Sequence, residues 1–347
     1  MKPIDSHDLD HILCKTQGAW REASGARFFI TGGSGFFGAW ILESFVHVNR
    51  RLKLGMEAVV LTRNSSRFYE RLPHLASVPE IRLCEGDMKA FTFPEERFDF
   101  ALHAATETLP GFAAVPAAEL IRGNIDGTRR FLELVEQRGV RKFLFTSSGA
   151  VYGQQPPSLD RIRENERLAP DPMLPTSAYG ESKRLCEALV AAASVAGLRE
   201  GKVARCFAFI GAHLPLDANY AIGNFLGDAL ARRPIRISGD GTPRRSYLYA
   251  ADLTAWLWKL LFMGKCSQAY NVGSETDHSI LEIAEYVVSE VTPGLAIEVA
   301  RPPQPEALPH RYIPDTKKAC EDLGLAEWIN LREAIRRTAA WHRGTIA

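Results

Sequence analysis

The sequence predicts an α/β fold: a doubly wound parallel sheet with a smaller, partly interleaved C-terminal region. Three observations predict it. Short apolar segments alternate with helical patterns from residue 27 to about residue 209, the stretch GGSGFFG (32–38) joins the first of them to the first helix, and a loop-rich texture begins after residue 209. Such alternation feeds parallel strands through crossover helices.

The elements follow in chain order. Residues 1–26 form an N-terminal extension with one short helical pattern, DLDHILCKT, and then a Ser-Gly break at 24–25. A helix covering a subunit edge and disorder are the two competing expectations for it. FFIT (28–31) reads as the first strand and FFGAWILESFVHV as the first helix, with Phe37, Trp40, Ile41, Phe45 and Val48 on one face. AVVLT (58–62), IRLCEGD (81–87), FALHAAT (100–106) and KFLFTSS (142–148) are short, apolar and turn-bounded, as strands buried on both faces are. A long helix is expected over 117–138, between the last two. KVARCFAF (202–209) reads as a further strand. SILEIAEYVVSEV (279–291) and LREAIRRTAAWHR (331–343) read as amphipathic helices around the proline-rich loop RPPQPEALPHR (301–311).

Composition narrows the class. The 347 residues are 46% hydrophobic with a net charge of +1, enough for one large core and a smaller companion. Near-neutral charge gives no electrostatic case for nucleic acid or an anionic membrane as partner. No apolar run approaches the ~20 residues that span a bilayer. The opening MKPIDSHDLD is acidic and polar, unlike a signal peptide. Six cysteines stand far apart without a CxxC pair, the pattern of a reducing compartment. A cytoplasmic protein without a metal centre is expected. His103 reads as a hydrogen-bonded core residue, and Trp256 and Trp258, two apart, as helix packing.

The glycine-rich junction carries the first chemistry. A strand turning abruptly into a helix leaves the first helical N–H groups unpaired, a site suited to a diphosphate. Gly32 supplies the tight turn, Gly35 lets phosphate oxygens approach the backbone, and Gly38 lets the helix press on the sheet. Ser34, Phe36 and Phe37 lie within the same loop. A dinucleotide-binding domain is therefore expected over 27–203, with part of 244–273 returning to it. A substrate-binding domain is expected over 204–243 and 274–347. The second strand ends Thr62-Arg63, where a carboxylate would hold the ribose of NAD. A guanidinium pairs instead with a 2′-phosphate, so NADP is favoured and NAD stays possible.

TSAYGESKRLCEALV (176–190) carries the second. Tyr179 and Lys183, four apart, share a helix side. A neighbouring ammonium favours the phenolate, which would make this pair a general base near neutrality. TSSGAVYG (146–153) follows a buried strand, where the Ser148 hydroxyl emerges at the sheet's carboxyl edge.

Glycine loop, Ser148 and Tyr179/Lys183 stand in the order and at the distances seen in short-chain dehydrogenase/reductases. The chain resembles the extended branch of that superfamily, the NAD(P)-dependent nucleotide-sugar epimerases, dehydratases and reductases, over residues 27–343. The resemblance implies a Rossmann-type sheet. It assigns catalysis to Ser148, Tyr179 and Lys183, with the last two also touching the cofactor. It places Asp87 and Met88 by the adenine, His103, Ala104 and Ala105 beneath the cofactor, and Asn124 as a supporting asparagine. On the substrate side it places Thr106, Glu107, Ser148, Asn224 and Arg245, with Arg311 as a second diphosphate candidate. Asp252 is a nearby structural aspartate.

Departures from the family pattern set the expected reaction. Dehydratases carry Asp-Glu after the catalytic hydroxyl residue and decarboxylating relatives keep the glutamate, whereas here Gly149 and Ala150 stand there. Direct 4,6-dehydration would need Glu107 as a substitute. An asparagine before the substrate region is replaced by Ala208. The implied function is oxidation or reduction at C4 of a nucleotide-diphosphate sugar, favoured as an NDP-4-keto-6-deoxyhexose 4-ketoreductase. The alternative is a 4-epimerase with bound NAD; a dehydratase, a decarboxylase or a non-catalytic NADP-binding scaffold ranks lower. A homodimer through the Tyr/Lys helix and the preceding long helix is expected.

Overall fold

The computed structural model describes residues 2–106, 116–195, 199–218, 220–303 and 308–344, so residues 304–307 of the proline-rich stretch lie outside it. The strands are β1 (Arg27–Thr31), β2 (Glu57–Thr62), β3 (Ile81–Glu85), β4 (Phe100–His103), β5 (Lys142–Ser148), β6 (Glu200–Cys206), β7 (Phe209–Ile210), β8 (Ile235–Ile237), β9 (Arg244–Ser246), β10 (Leu248–Tyr249), β11 (Gln268–Val272), β12 (Asp277–Ser279), β13 (Ile297–Val299) and β14 (Arg311–Tyr312). The helices are α1 (Ser6–Thr16), α2 (Phe36–Leu52), α3 (Ser65–Arg71), α4 (Ala117–Gln137), α5 (Ala178–Val195), α6 (Ala221–Leu230), α7 (Ala250–Met263), α8 (Ile280–Val291), α9 (Lys317–Leu323) and α10 (Leu331–Arg343).

Seven parallel strands form the main sheet in the order β11-β6-β5-β4-β1-β2-β3. Burial on both faces follows from alternation within one strand. Phe28 and Ile30 of β1 pack with Phe45, Phe100, Trp258 and Phe262 on one side. Phe29 packs with Phe91, Phe131, Phe143 and Phe145 on the other. β1 lies between β2 and β4, so the chain reverses its direction of travel across the sheet there. Ligands of doubly wound sheets bind outside the carboxyl ends of the strands at such a switch point.

After α7 the chain re-enters the main sheet as β11, beside β6. β9 pairs antiparallel with β12 and parallel with β14, which sets Arg245, Arg311 and Tyr312 on one small sheet. Two expected strands are shorter than their apolar runs: β4 stops at His103 and β6 at Cys206. Residues 104–106 leave the sheet at its carboxyl edge. Phe207 and Ala208 separate β6 from β7.

The N-terminal extension is helical and docked on its own chain, which decides between the two expectations. Asp8 accepts from the Tyr249 hydroxyl at 2.5 Å and from Arg337 at 2.7 Å, and His11 Nε2 lies 2.7 Å from Asp252. Trp20 packs tilted against Trp258, with ring centroids 4.7 Å apart. Trp256 and Trp258 are both buried in α7, as packing residues are. Asp252 has no exposure and also accepts from the backbone N–H groups of Trp328 and Ile329, both at 2.9 Å. Asp252→Ala would orphan those donors and is expected to destabilise the protein by about 3 kcal/mol. Urea unfolding measures this, and a loss below about 1 kcal/mol would contradict it.

Candidate active site

The glycine loop is shaped by its close approach to β4. Gly32 has φ +77°, and a Cβ there would stand 2.5 Å from the carbonyl carbon of Ala104. Gly38 serves the loop rather than the sheet, because its Cβ would meet the Gly32 carbonyl oxygen at 2.2 Å. Gly33, to which the sequence reading gave no role, is hemmed in by Val60, whose Cγ1 a Cβ would reach at 2.4 Å. Gly35 is the N-cap of α2, and no side chain caps that helix. The first turn of α2 therefore presents backbone N–H groups at the switch point, which fits a dinucleotide diphosphate. Phe37 packs edge-on against Phe209 at 5.2 Å, and Ser34 and Phe36 are half-buried beside it.

At the adenosine end, Thr62 is buried and its hydroxyl donates to the Asn64 carbonyl at 3.2 Å. Arg63 is exposed at the end of β2. Glu85, on β3, accepts from the Ser65 hydroxyl at 2.8 Å. Asp87 is exposed and accepts from the Lys89 backbone N–H at 2.8 Å. Met88, in the loop after β3, packs against α4, where its Cγ would be 3.0 Å from a Cβ on Gly127.

Ala104 and Ala105 contribute backbone. Their N–H groups donate to the Thr31 carbonyl at 3.3 Å and the Thr31 hydroxyl at 3.1 Å. The His103 side chain does not face the cleft. Its nitrogens lie 2.8 Å from Thr31 Oγ1 and 3.3 Å from Thr128 Oγ1, its ring stacks on Phe131 at 4.7 Å, and burial pulls its pKa down to about 3. It is a neutral core residue.

Ser148, at the end of β5, accepts from the Ala150 N–H at 3.1 Å, which starts a short 3₁₀ turn. The Tyr179 hydroxyl, on α5, comes close enough to Ser148 and Thr106 for both to favour its ionised form. Thr106 donates to Asn124 Oδ1 at 3.1 Å, and Asn124 Nδ2 donates to Ser182 at 3.0 Å. The three catalytic candidates thus converge at the carboxyl edge. Glu107 lies outside the described residues.

One expectation is corrected. The Lys183 ammonium does not hold Tyr179 low: it is buried, donates to the Thr146 carbonyl at 3.0 Å and stands 6.0 Å from the Tyr179 ring centroid. Burial of the phenol dominates and pushes Tyr179 up to about 12, while burial pulls Lys183 down to about 8. The protein without its cofactor holds a protonated phenol.

On the substrate side, Arg245 donates to the backbone carbonyls of Arg244 at 2.8 Å and His310 at 3.5 Å. Arg311 Nη1 instead lies 3.3 Å from Asp277, a carboxylate that also takes the Arg244 guanidinium. Asn224 is exposed in the first turn of α6, next to half-exposed Tyr220. Sequence reasoning missed Tyr312. Its hydroxyl stands beside Gly149, where a Cβ would meet it at 2.4 Å. The glycine in place of the dehydratase acid was the available signal. His7 and His11 stand four apart on α1, a metal-ligand spacing, yet they go to Asp5 and Asp252. Among the described residues no cluster could hold a metal ion.

A parallel sheet with a glycine turn at its switch point and a Ser-Tyr-Lys edge defines a dinucleotide-dependent enzyme class. Residues 28–273 match the NAD dependent epimerase/dehydratase family, and the chain belongs to it. It is 30% identical over 320 residues to UDP-glucuronic acid decarboxylase 1 of Arabidopsis thaliana, covering 92% of this chain and 70% of that one. It is 27% identical to UDP-glucuronic acid decarboxylase 1 of Danio rerio, covering 90% and 71%. Among solved structures it superposes with a TM-score of 0.76 on UDP-glucose 4-epimerase of Thermotoga maritima with UDP-glucose, 22% identical, covering 92% of this chain and all of that one. The NAD complex of dTDP-glucose 4,6-dehydratase from Bacillus anthracis gives 0.74 at 18% identity, covering 92% and 97%. These two share the fold. No helix among the described residues is long and apolar enough to cross a membrane.

Two outcomes follow from this geometry. Gly38→Ala would force the loop off Gly32 and is expected to weaken dinucleotide binding at least ~10-fold by calorimetry; near wild-type affinity would contradict the cradle. The second concerns Lys183, whose folded pKa lies below its ordinary value of 10.5. Its buried charge costs stability in full below pH about 8, a cost that fades as pH rises toward 10.5, where only the unfolded chain still binds the proton. Lys183→Met is therefore expected to raise the melting temperature of the unliganded protein near neutral pH, with most of that gain gone near pH ~10. An equal gain at both pH values would contradict it.

Proposed function

We propose that the protein is an NAD(P)-dependent oxidoreductase of nucleotide-diphosphate sugars acting at sugar C4, favoured as an NADPH-dependent 4-ketoreductase of an NDP-4-keto-6-deoxyhexose. The observation that carries this reading is Tyr179 held protonated by burial close to Ser148 at the carboxyl edge of the sheet. A protonated phenol is the form that carbonyl reduction consumes. Bound NADPH would supply the hydride. Tyr179 gives its proton to the C4 oxygen as the carbonyl is reduced, and Ser148 donates a hydrogen bond to the same oxygen while negative charge builds there. Lys183, buried beside the site, would contact the nicotinamide ribose of a bound dinucleotide. Arg245, which among the described residues bonds to backbone carbonyls, anchors the substrate diphosphate; Thr106 and Asn224 line the sugar side, and Arg311 is a second anchor partly neutralised by Asp277.

Arg63, exposed where a carboxylate would select NAD, supports NADP. The alternative, 4-epimerisation with bound NAD, has in its favour that 4-epimerases share the fold. It would need Tyr179 first as a base. Decarboxylation, the activity named for the 30% identical plant relative, is disfavoured by Gly149 and Ala150, which offer no carboxylate. Dimerisation would use α4 and α5, which lie side by side and expose Leu185.

The test is NADPH consumption with an NDP-4-keto-6-deoxyhexose. Tyr179→Phe is expected to lose about 10³-fold in turnover with dinucleotide affinity within about twofold. Arg63→Ala is expected to weaken NADPH about 10-fold and leave NADH unchanged. Tightly held NAD with sugar interconversion and no net cofactor turnover would overturn the reductase. Dinucleotide binding without turnover across a broad NDP-sugar panel would favour the scaffold.

A further inference from the structure

Ser148 and Tyr179 come from two separate elements, β5 and α5, and something must fix one against the other. Lys183 and Glu187 of α5 both reach β5. Lys183 donates to the Thr146 carbonyl at 3.0 Å, and one helical turn further on Glu187 accepts from the Ser147 hydroxyl at 2.6 Å. In the proposed complex Lys183 turns to the nicotinamide ribose, which leaves Glu187 as the link that stays. Arg205 on β6, paired in register with Ser147, forks onto the same carboxylate through Nη2 at 2.7 Å and Nε at 3.0 Å. Its remaining nitrogen, Nη1, donates to the Tyr152 hydroxyl at 2.8 Å and to the Glu164 carbonyl at 3.1 Å. Burial pushes Tyr152 up to about 12, so the phenol keeps its proton and donates to Asn271 Oδ1 at 2.8 Å. Ser147 directly precedes Ser148, and Tyr152 ends the 3₁₀ turn that Ser148 caps. One carboxylate–guanidinium pair therefore grips the chain on both sides of Ser148, with side chains only 12% and 17% exposed.

We infer that Glu187 and Arg205 are positioning residues of this site: the pair joins α5 to residues 147–152 and so sets the spacing at which Tyr179 and Ser148 meet one substrate oxygen, a role that rests on the reading of those two as the reaction centre. A forked pair suits the task because it fixes direction as well as distance. A shift of about 1 Å between reacting groups costs up to ~100-fold in rate. Neither Glu187 nor Arg205 exchanges a proton with substrate. They hold the groups that do.

Arg205→Lys, which keeps the charge and loses the fork, is compared with Asp252→Ala, which removes an anchor of the N-terminal extension instead. In the full chain with NADP⁺ present, amide hydrogen exchange is followed at Ala150 and Gly153. Their N–H groups are held by Ser148 Oγ and the Ala150 carbonyl, both at 3.1 Å. Arg205→Lys is expected to speed exchange of both at least ~10-fold, and Asp252→Ala to leave them within about twofold. With a 4-keto-sugar that turns over, Arg205→Lys is expected to lower kcat about 10-fold with KM within about twofold, while Asp252→Ala keeps kcat within about twofold. Tyr152→Phe keeps the ring and the ion pair, cuts the arm beyond Ser148 alone, and is expected to show both effects at about threefold. It carries the test if Arg205→Lys does not fold. Turn amides that exchange at the wild-type rate, an unchanged kcat, or an equal loss of kcat in Asp252→Ala overturns the assignment. Faster exchange in a chain that reduces no keto-sugar supports it and removes the substrate reading alone.

Discussion

The close approach of the Gly32 turn to the exit of β4 is the constraint on which the rest of the site depends. With no room for a Cβ between Gly32 and the Ala104 carbonyl, the loop lies flat on the sheet's carboxyl edge. The uncapped start of α2 then points at the same crevice that receives Ser148 from β5 and Tyr179 from α5. A dinucleotide diphosphate held at α2 and a hydroxyl pair at the end of β5 are thereby placed on one edge by backbone packing alone. Electrostatics adds little here, because the chain is almost neutral.

The chemistry at that edge is set by burial more than by charge pairing. Lys183 donates a hydrogen bond to a strand carbonyl, and its buried charge is a cost the fold bears at the site. Tyr179 is kept protonated by its burial, and beside it Thr106, Asn124 and Ser182 form a hydrogen-bonded chain. Binding of a positively charged nicotinamide nearby would favour the phenolate. The same residues could then serve as acid or as base according to the dinucleotide's oxidation state. This is why carboxylates at positions 149 and 150 matter so much to the choice of reaction: a C4 redox step alone needs no further acid, whereas loss of water or carbon dioxide has further steps to manage.

Much of the fold was legible because its signals are local. The apolar runs of β1, β2, β4 and β5 and the 3.6-residue face of α2 depend on burial patterns that any window of sequence displays. Gly32 and Gly38, Ser148, and the four-residue spacing of Tyr179 and Lys183 were legible for the same reason. What escaped depends on partners remote in sequence. Tyr312 reaches Gly149 only because β14 pairs with β9, and Arg311 meets Asp277 only because β12 pairs with β9 from the other side. The direction of the Lys183 ammonium is decided by the Thr146 carbonyl, which spacing along a helix does not reveal. The choice between helix and disorder in the N-terminal extension was open in sequence because Tyr249, Asp252 and Arg337, which hold it, lie at the far end of the chain.

The most direct measurement of the central claim follows a hydride. The protein would be incubated with NADPH deuterated at the transferable position and an NDP-4-keto-6-deoxyhexose, and the sugar product analysed by NMR. Deuterium at sugar C4, with one NADP⁺ formed per sugar reduced, is the predicted result. Sugar interconversion with the label kept on the dinucleotide, or no transfer to C4 at all, would contradict it.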